Sequence, residues 1–413
     1  METIREHIEI PFIIGDGIGE DIWAAAQPIL DKAVQVAYQG KLSITWKEIL
    51  AGKKAFQSTG SYLPQSTINS IQQSKVAIKG PLTTPVGGGY TSLNVTLRKE
   101  LDLYSCIRPV KWFEGLPSPL KNPQQVDAII FRENTEDLYA GIEFPAQSTG
   151  NQALLQLLED SFPEEYAKLR FQTDVGIDLK PISKNATQRI MRAAFDWAKA
   201  NKKKKITIVH KGNIMKYTEG AFLNWAYEVA ENEFGEVCFS NRIWKKTRKE
   251  GGRDKADLLK DRAVQAGKII VDDLIADNAF ATAITNPGRF EIVVTANLNG
   301  DYISDAFAAL AGGIGISPGA NLNQETGLGL FEANHGSAED IAGQDKANPS
   351  SLILSGAMMF DFLGWQKAGD CVRKAIETTI KEGFLTFDLH AQNPDSTLVS
   401  TSQFSDHVMK NLH

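Results

Sequence analysis

An α/β fold is the architecture that this 413-residue sequence predicts, on two observations. Short apolar runs alternate with longer helical patterns through most of the chain. Such runs break at glycine, as in "IEIPFIIGDGIGEDIWAAA" (8–26), where a strand-like run passes through Gly15-Asp16-Gly17-Ile18-Gly19 into a helix-like segment. With 42% hydrophobic residues, the chain can bury large cores and form two or more domains.

Composition narrows the function. Lys+Arg 44 against Asp+Glu 50 gives a net charge of -6, which argues against a nucleic acid or a membrane surface as partner. The stretch METIREHIEI mixes charges and has no apolar core of signal-peptide length, and no apolar run is long enough for a membrane helix. Cys106, Cys238 and Cys371 are far apart and odd in number, so they form neither a disulfide framework nor a metal cluster. Idle thiols in a reducing cytoplasm are expected.

Taken in order, the elements place the chemistry. Gly15-Asp16-Gly17-Ile18-Gly19 departs from the dinucleotide spacing G-x-G-x-x-G, and Asp16 would face a pyrophosphate unfavourably. A tight strand-to-helix turn is the expectation. In residues 79–111, Gly87-Gly88-Gly89 break the chain before Ser92 and Asn94, where a helix should begin. Arg98 stands one turn beyond Asn94, and such a helix start suits an anion. Arg108 lies just past this helix, and Arg132 follows the apolar run "VDAIIF" (126–131). A guanidinium donates two parallel hydrogen bonds to a carboxylate. Tyr139 follows in "ENTEDLYAGIE". The irregular, polar segment 147–181 reads as an insertion or an oligomer-contact arm.

A clear helix spans 186–205, and the lysine run Lys202 to Lys205 at its end is expected in water. The run "KITIVHK" (205–211) puts Lys211 at a strand end, where sites form in α/β folds. "KIIVDDL" (268–274) and "FEIVVTANL" (290–298) are further strands. Asp277 sits in "LIADNAF", while Asp301 and Asp305 are spaced i, i+4 on one helical face. Capping would explain Asp301 alone; with a third carboxylate alongside, the pair suits Mg²⁺ or Mn²⁺. A long helical pattern runs from Ser351 to about Glu382.

The strings "SLNVTLRKELDLYSCIRP", "IFRENTEDLYAGIE", "VHKGNIMKYTEGAF", "NLNGDYISDAFAALAGGIGI" and "HGSAEDIAGQDKANP" resemble the homodimeric bacterial isocitrate dehydrogenases, β-decarboxylating dehydrogenases of the isocitrate/isopropylmalate type, over essentially the whole chain. The resemblance implies that family's non-Rossmann α/β fold. A large domain (1–104 and 312–413), a small domain (105–138 and 183–311) and a clasp (139–182) are expected. Ser92, Asn94, Arg98, Arg108 and Arg132 would hold the carboxylates of isocitrate, and Asp277, Asp301 and Asp305 the divalent metal. Tyr139 and Lys211 would move protons, with Lys211 and Asp277 supplied by the neighbouring subunit of a homodimer. The polar pair Ser92 and Asn94 favours isocitrate over isopropylmalate, with homoisocitrate and a non-catalytic regulatory relative as alternatives. In some bacterial relatives the matching serine is phosphorylated, which makes Ser92 a candidate for a regulatory kinase. The nucleotide loop would be "HGSAEDIAG" (335–343), with Thr83, His335, Gly336, Asp340, Ile341 and Asn348 lining the site. Asp340 and Ile341 replace a Lys-Tyr pair that binds the 2′-phosphate in NADP-dependent members, and Phe387 and Ala391 replace a tyrosine and an arginine. On those four differences NAD⁺ is the expected cofactor.

Overall fold

The computed structural model describes residues 6–83 and 92–413, so the expected break at Gly87-Gly88-Gly89 lies outside the described residues. The strands are β1 His7–Ile13, β2 Ser43–Glu48, β3 Val76–Lys79, β4 Ser105–Lys111, β5 Asp127–Glu133, β6 Ile142–Phe144, β7 Ile177–Leu179, β8 Lys205–His210, β9 Cys238–Ser240, β10 Ile269–Ile275, β11 Ile292–Thr295, β12 Pro318–Asn323 and β13 Leu328–Ala333. Eleven of them form one sheet in the order β2-β1-β3-β13-β12-β4-β5-β11-β8-β10-β9. Strand β12 runs antiparallel between β13 and β4, and β4 runs antiparallel to β5; the other pairs are parallel. Helices cover both faces, so β3, β11 and β13 are buried along their whole length. The α/β expectation holds.

The turn at Gly15–Gly19 joins β1 to the helix Gly19–Tyr38. Gly17 has φ 58°, and a Cβ there would lie 2.0 Å from the Ser337 carbonyl oxygen. Asp16 is buried, its carboxylate accepting the Lys53 and Thr83 amides at 2.8 Å each. The turn is a packing device, and its acid serves backbone amides.

Three expectations change. The pattern 351–382 is two helices, Ser350–Phe362 and Gln366–Lys381, because Gly364 at φ 76° ends the first in a left-handed turn. The helix expected over 186–205 is Lys184–Ala200, started by the Ser183 hydroxyl accepting the Ala186 amide. Segment 147–181 is more regular than expected. It holds the helix Thr149–Ser161, and β7 pairs antiparallel with β6. Among the described residues no helix is long and apolar enough to cross a membrane.

Candidate active site

Side-chain alternation carries two arginines to one face of the sheet. Cys106 lies opposite Arg132 in the β4–β5 register, and Arg108 opposite Ile130. Ile107 and Pro109 point the other way, into a cavity of about 770 Å³ that contains none of the candidate residues. Arg98 joins the pair from the helix Leu93–Glu100, which begins at Ser92. The Ser92 side chain makes no capping bond, and the Asn94 Oδ1 is buried without a partner among the described residues.

All three arginines are buried. Burying a charge is costly unless partners offset it, and here each has one. Arg98 donates to Glu332 at 2.7 Å, and Glu332 also pairs with buried Lys79 at 2.8 Å. Arg108 donates to the Ser304 hydroxyl at 2.6 Å and lies 3.4 Å from Asp301 and 3.3 Å from Asp305. Arg132 donates to Asn297 at 2.8 Å and to Asp301. The compensation is incomplete. Arg98 Nε, Arg108 Nε and Arg132 Nη2 are buried with no acceptor among the described residues. Burial pulls the Arg132 guanidinium below its usual range, and Arg108 and Arg98 pull with it. Unused donors amid crowded positive charge define a receptor for anionic oxygens.

Tyr139 stands at the edge of this cluster on the short turn Asp137–Ala140, its ring under the Arg132 guanidinium at 4.9 Å. Its hydroxyl donates to Asp301. Burial, with the Asp301 bond added, pushes the phenol up to about 12, so it is a protonated acid at neutral pH. Asp301 and Asp305 lie within the helix Asn297–Leu310, one turn apart, so Asp301 is not its cap. Burial works against the Asp301 charge, yet Arg132, Tyr139 and Arg108 hold that carboxyl below its usual range. Burial raises the Asp305 carboxyl, with Asp301 adding to it against the pull of Arg108. Two adjacent carboxylates, one of them destabilised by the other, fit a hard divalent cation.

The remaining metal candidate lies elsewhere. Asp277 opens the helix Ala276–Thr285, is well exposed, and accepts from Lys211 Nζ at 2.5 Å. Lys211 follows β8, and its amide donates to buried Glu219. Among the described residues no group of three His, Cys, Asp or Glu is arranged to hold a metal. One chain therefore presents two part-sites: the arginine cluster with Tyr139, Asp301 and Asp305, and the pair of half-buried Lys211 with exposed Asp277.

The nucleotide-loop candidates form a third group. The Thr83 hydroxyl lies 2.7 Å from that of Ser337 and 2.8 Å from Glu339, which also pairs with Lys53 at 2.6 Å. His335 turns Nδ1 to the Gly336 carbonyl at 3.0 Å, and its buried Nε2 has no partner among the described residues. Burial pulls the imidazole below its usual range, so the ring is neutral at pH 7. Asp340 is exposed, Ile341 packs on the core, and buried Asn348 donates to Asp388 at 3.1 Å. Glu332, Lys79, Glu339 and Lys53 escaped notice in the sequence. The first two carried a signal, each being a lone charge in an otherwise apolar strand, "VAIK" and "LGLFEA".

Fold and donor set together describe an α/β protein with a buried, under-satisfied guanidinium cluster. Residues 9–408 match the isocitrate/isopropylmalate dehydrogenase family, and the chain belongs to that family. It is 51% identical over 403 residues to a Staphylococcus aureus (strain MSSA476) protein named isocitrate dehydrogenase (NADP), covering 98% of this chain and 95% of that one. A Streptococcus salivarius protein of the same name is 49% identical over 400 residues, covering 97% and 94%. The crystal structure of isocitrate dehydrogenase from Methylococcus capsulatus superposes with a TM-score of 0.77 at 34% identity, over 98% of this chain and 99% of that one.

These relatives correct the cofactor expectation. Proteins half-identical over their full length carry NADP in their names, against the NAD⁺ read from Asp340, Ile341, Phe387 and Ala391. The structure supplies a physical reason for giving the loop letters less weight. Asp340 is exposed, so water and salt screen its repulsion of a phosphate, and the adjacent Glu339 is already neutralised by Lys53. Specificity is a difference of two affinities, and a screened charge contributes little to it.

Proposed function

We propose that this protein oxidises and decarboxylates isocitrate to 2-oxoglutarate and CO₂ with NADP⁺ and a divalent cation. The observation that carries the reading is the set of three buried arginines with unused N–H donors, facing two adjacent carboxylates. A tricarboxylate is the anion that such a cluster can satisfy, and the polar Ser92 and Asn94 suit a third carboxylate better than an apolar branch. The relatives' names supply the choice of isocitrate and of NADP⁺.

In this reading Arg98, Arg108 and Arg132 orient the substrate, so that its C2 hydroxyl meets a base and its C2 hydride faces the nicotinamide. Lys211 of a second copy takes the hydroxyl proton, with Asp277 of that copy beside it as a relay. Asp301 and Asp305 would hold the cation, joined by Asp277 of a second copy. When bound, the cation polarises the C2 oxygen and stabilises the negative charge left there as CO₂ departs. Tyr139, kept protonated by its surroundings, returns a proton to C3. The atoms balance: one hydride to the nicotinamide, one carboxylate lost as CO₂, one proton out and one in.

Among the described residues Asp277 does not complete a three-carboxylate metal group with Asp301 and Asp305, which favours a homodimer with shared sites. Exposed apolar side chains flank both part-sites: Ile214 and Tyr217 beyond Lys211, Ile284 on the Asp277 helix, and Tyr302 next to Asp301. A second copy would cover them. The sheet would then divide into the large (1–104, 312–413) and small (105–138, 183–311) domains, with 139–182 as the clasp.

The test is kcat/KM with Mg²⁺ across isocitrate, homoisocitrate and isopropylmalate, each with NADP⁺ and NAD⁺. Isocitrate with NADP⁺ is the expected best pair. A higher value for another acid overturns the substrate, and a higher value with NAD⁺ overturns the acceptor.

A further inference from the structure

Among the described residues, one largely buried lysine that the mechanism does not use links two parts of the proposed machinery. Lys180, at the end of the segment that carries β7, is largely buried and stands between two fully buried carboxylates. Its Nζ lies 2.6 Å from Asp137 and 2.9 Å from Glu219. Burial works against the ammonium, and the two carboxylates outweigh it, holding its pKa above the usual lysine range.

Each carboxylate is tied to a different piece of the proposed machinery. Asp137 opens the turn that carries Tyr139, in a left-handed conformation at φ 72°. A non-glycine residue persists there only when its surroundings hold it. Its carboxylate accepts the Leu138 amide at 2.8 Å and the Leu298 amide at 2.9 Å, in the first turn of the helix bearing Asp301 and Asp305. Glu219 accepts the Lys211 amide and, at 2.8 Å, the Asn299 side-chain amide. The clasp end is stitched on by backbone as well, the Asp137 amide donating to the Pro181 carbonyl at 2.9 Å.

We infer that Lys180 is a positioning residue that acts in both active sites of the dimer at once. The inference rests on the shared-site reading above, in which Tyr139 of one chain meets Lys211 of the other. Within one chain Lys180 clamps the Tyr139 turn, which serves one site, and the Lys211 loop, which serves the other. Remove its charge and two buried carboxylates repel across the gap, pushing both elements off their geometry. A misplacement of about 1 Å costs about 100-fold in rate without contact to substrate. The arginines lie outside this triad, so substrate affinity should hold.

Mixed dimers, purified with two different affinity tags, test the idea. Lys180→Met is the main variant, and Lys180→Gln, which keeps a donor but no charge, is the second. In homodimers of either variant, kcat should fall by about 100-fold while KM for isocitrate moves less than about threefold. A dimer of one Lys180→Met chain and one wild-type chain has a displaced element in each site, so its kcat should drop far below half. A kcat near half would show that only one element is positioned and would overturn the inference. So would a folded homodimer with normal kcat, a loss confined to KM, or failure of both variants to fold, which would make the triad purely structural. The control is a mixed dimer of Tyr139→Phe and Lys211→Met chains. In the shared-site reading it keeps one intact site and about half the activity. If it is inactive, the shared-site reading fails, whatever Lys180 does.

Discussion

The arginine cluster and the Lys211–Asp277 pair are built on opposite principles. Arg98, Arg108 and Arg132 are buried and locked by Glu332, Ser304, Asn297 and Asp301. In the Lys211–Asp277 pair the carboxylate is 70% exposed and the lysine side chain 33% exposed. Asp277 is held below its usual range chiefly by the hydrogen bond from Lys211. The first region must be preorganised, since like-charged donors left to relax in a low dielectric would swing apart. The second, in the proposed dimer, would be completed by a neighbouring copy. Residues in one proposed site can thus differ widely in what they contribute to stability.

The sharpest way to break the comparison is to remove the half-buried lysine of the pair. Lys211→Met should lower kcat about 1,000-fold, with the melting temperature almost unchanged, as steady-state kinetics and a thermal melt would show. A large loss of stability would mean that this region is locked like the other.

Next comes the floor of the buried cluster. Glu332→Gln strands Lys79 and Arg98 without their counter-ion and should cost about 3 kcal/mol in chemical denaturation at pH 7. The pH dependence follows from sign. Burial works against the Glu332 charge, yet Lys79 and Arg98 hold the carboxyl well below the ordinary glutamate value of 4.5. A depressed acid contributes stability above its unfolded pKa and loses it as pH falls. The gap between wild type and Glu332→Gln should therefore be full at neutral pH and narrow below about 4.5. A gap that grew in acid would refute the assignment.

A charge placed at the start of the helix that carries Arg98 should act on binding alone. Ser92→Asp, standing in for a phosphate, is expected to raise KM for isocitrate about 100-fold by competing for the arginines and repelling the substrate. Unchanged KM would remove Ser92 from the site.

The smallest effect belongs to the exposed Lys53–Glu339 pair in the proposed nucleotide loop. Lys53→Gln should shift KM for NADP⁺ by no more than about threefold, because exposed ion pairs contribute little. A larger shift would show that the loop is held as firmly as the arginine floor.

Local sequence determined a good deal. Alternation along β4 and β5 brings Arg108 and Arg132 to one face, and the i, i+4 spacing puts Asp301 and Asp305 on one side of a helix. The misfit of Gly15–Gly19 to a dinucleotide loop was legible because spacing and charge are local properties. Gly364 was a legible break too, but a pattern apolar on both sides of it read as one helix. Other things were decided only by tertiary structure. Glu332 reaches Arg98 across 234 positions of sequence, and Lys180 reaches Glu219 across a strand crossover. No periodicity encodes such pairs, because their partners are chosen by how elements pack and their strength by how much water the packing excludes. The cofactor loop failed as a text for the same reason: the weight of Asp340 depends on its exposure, and exposure is a property of the fold.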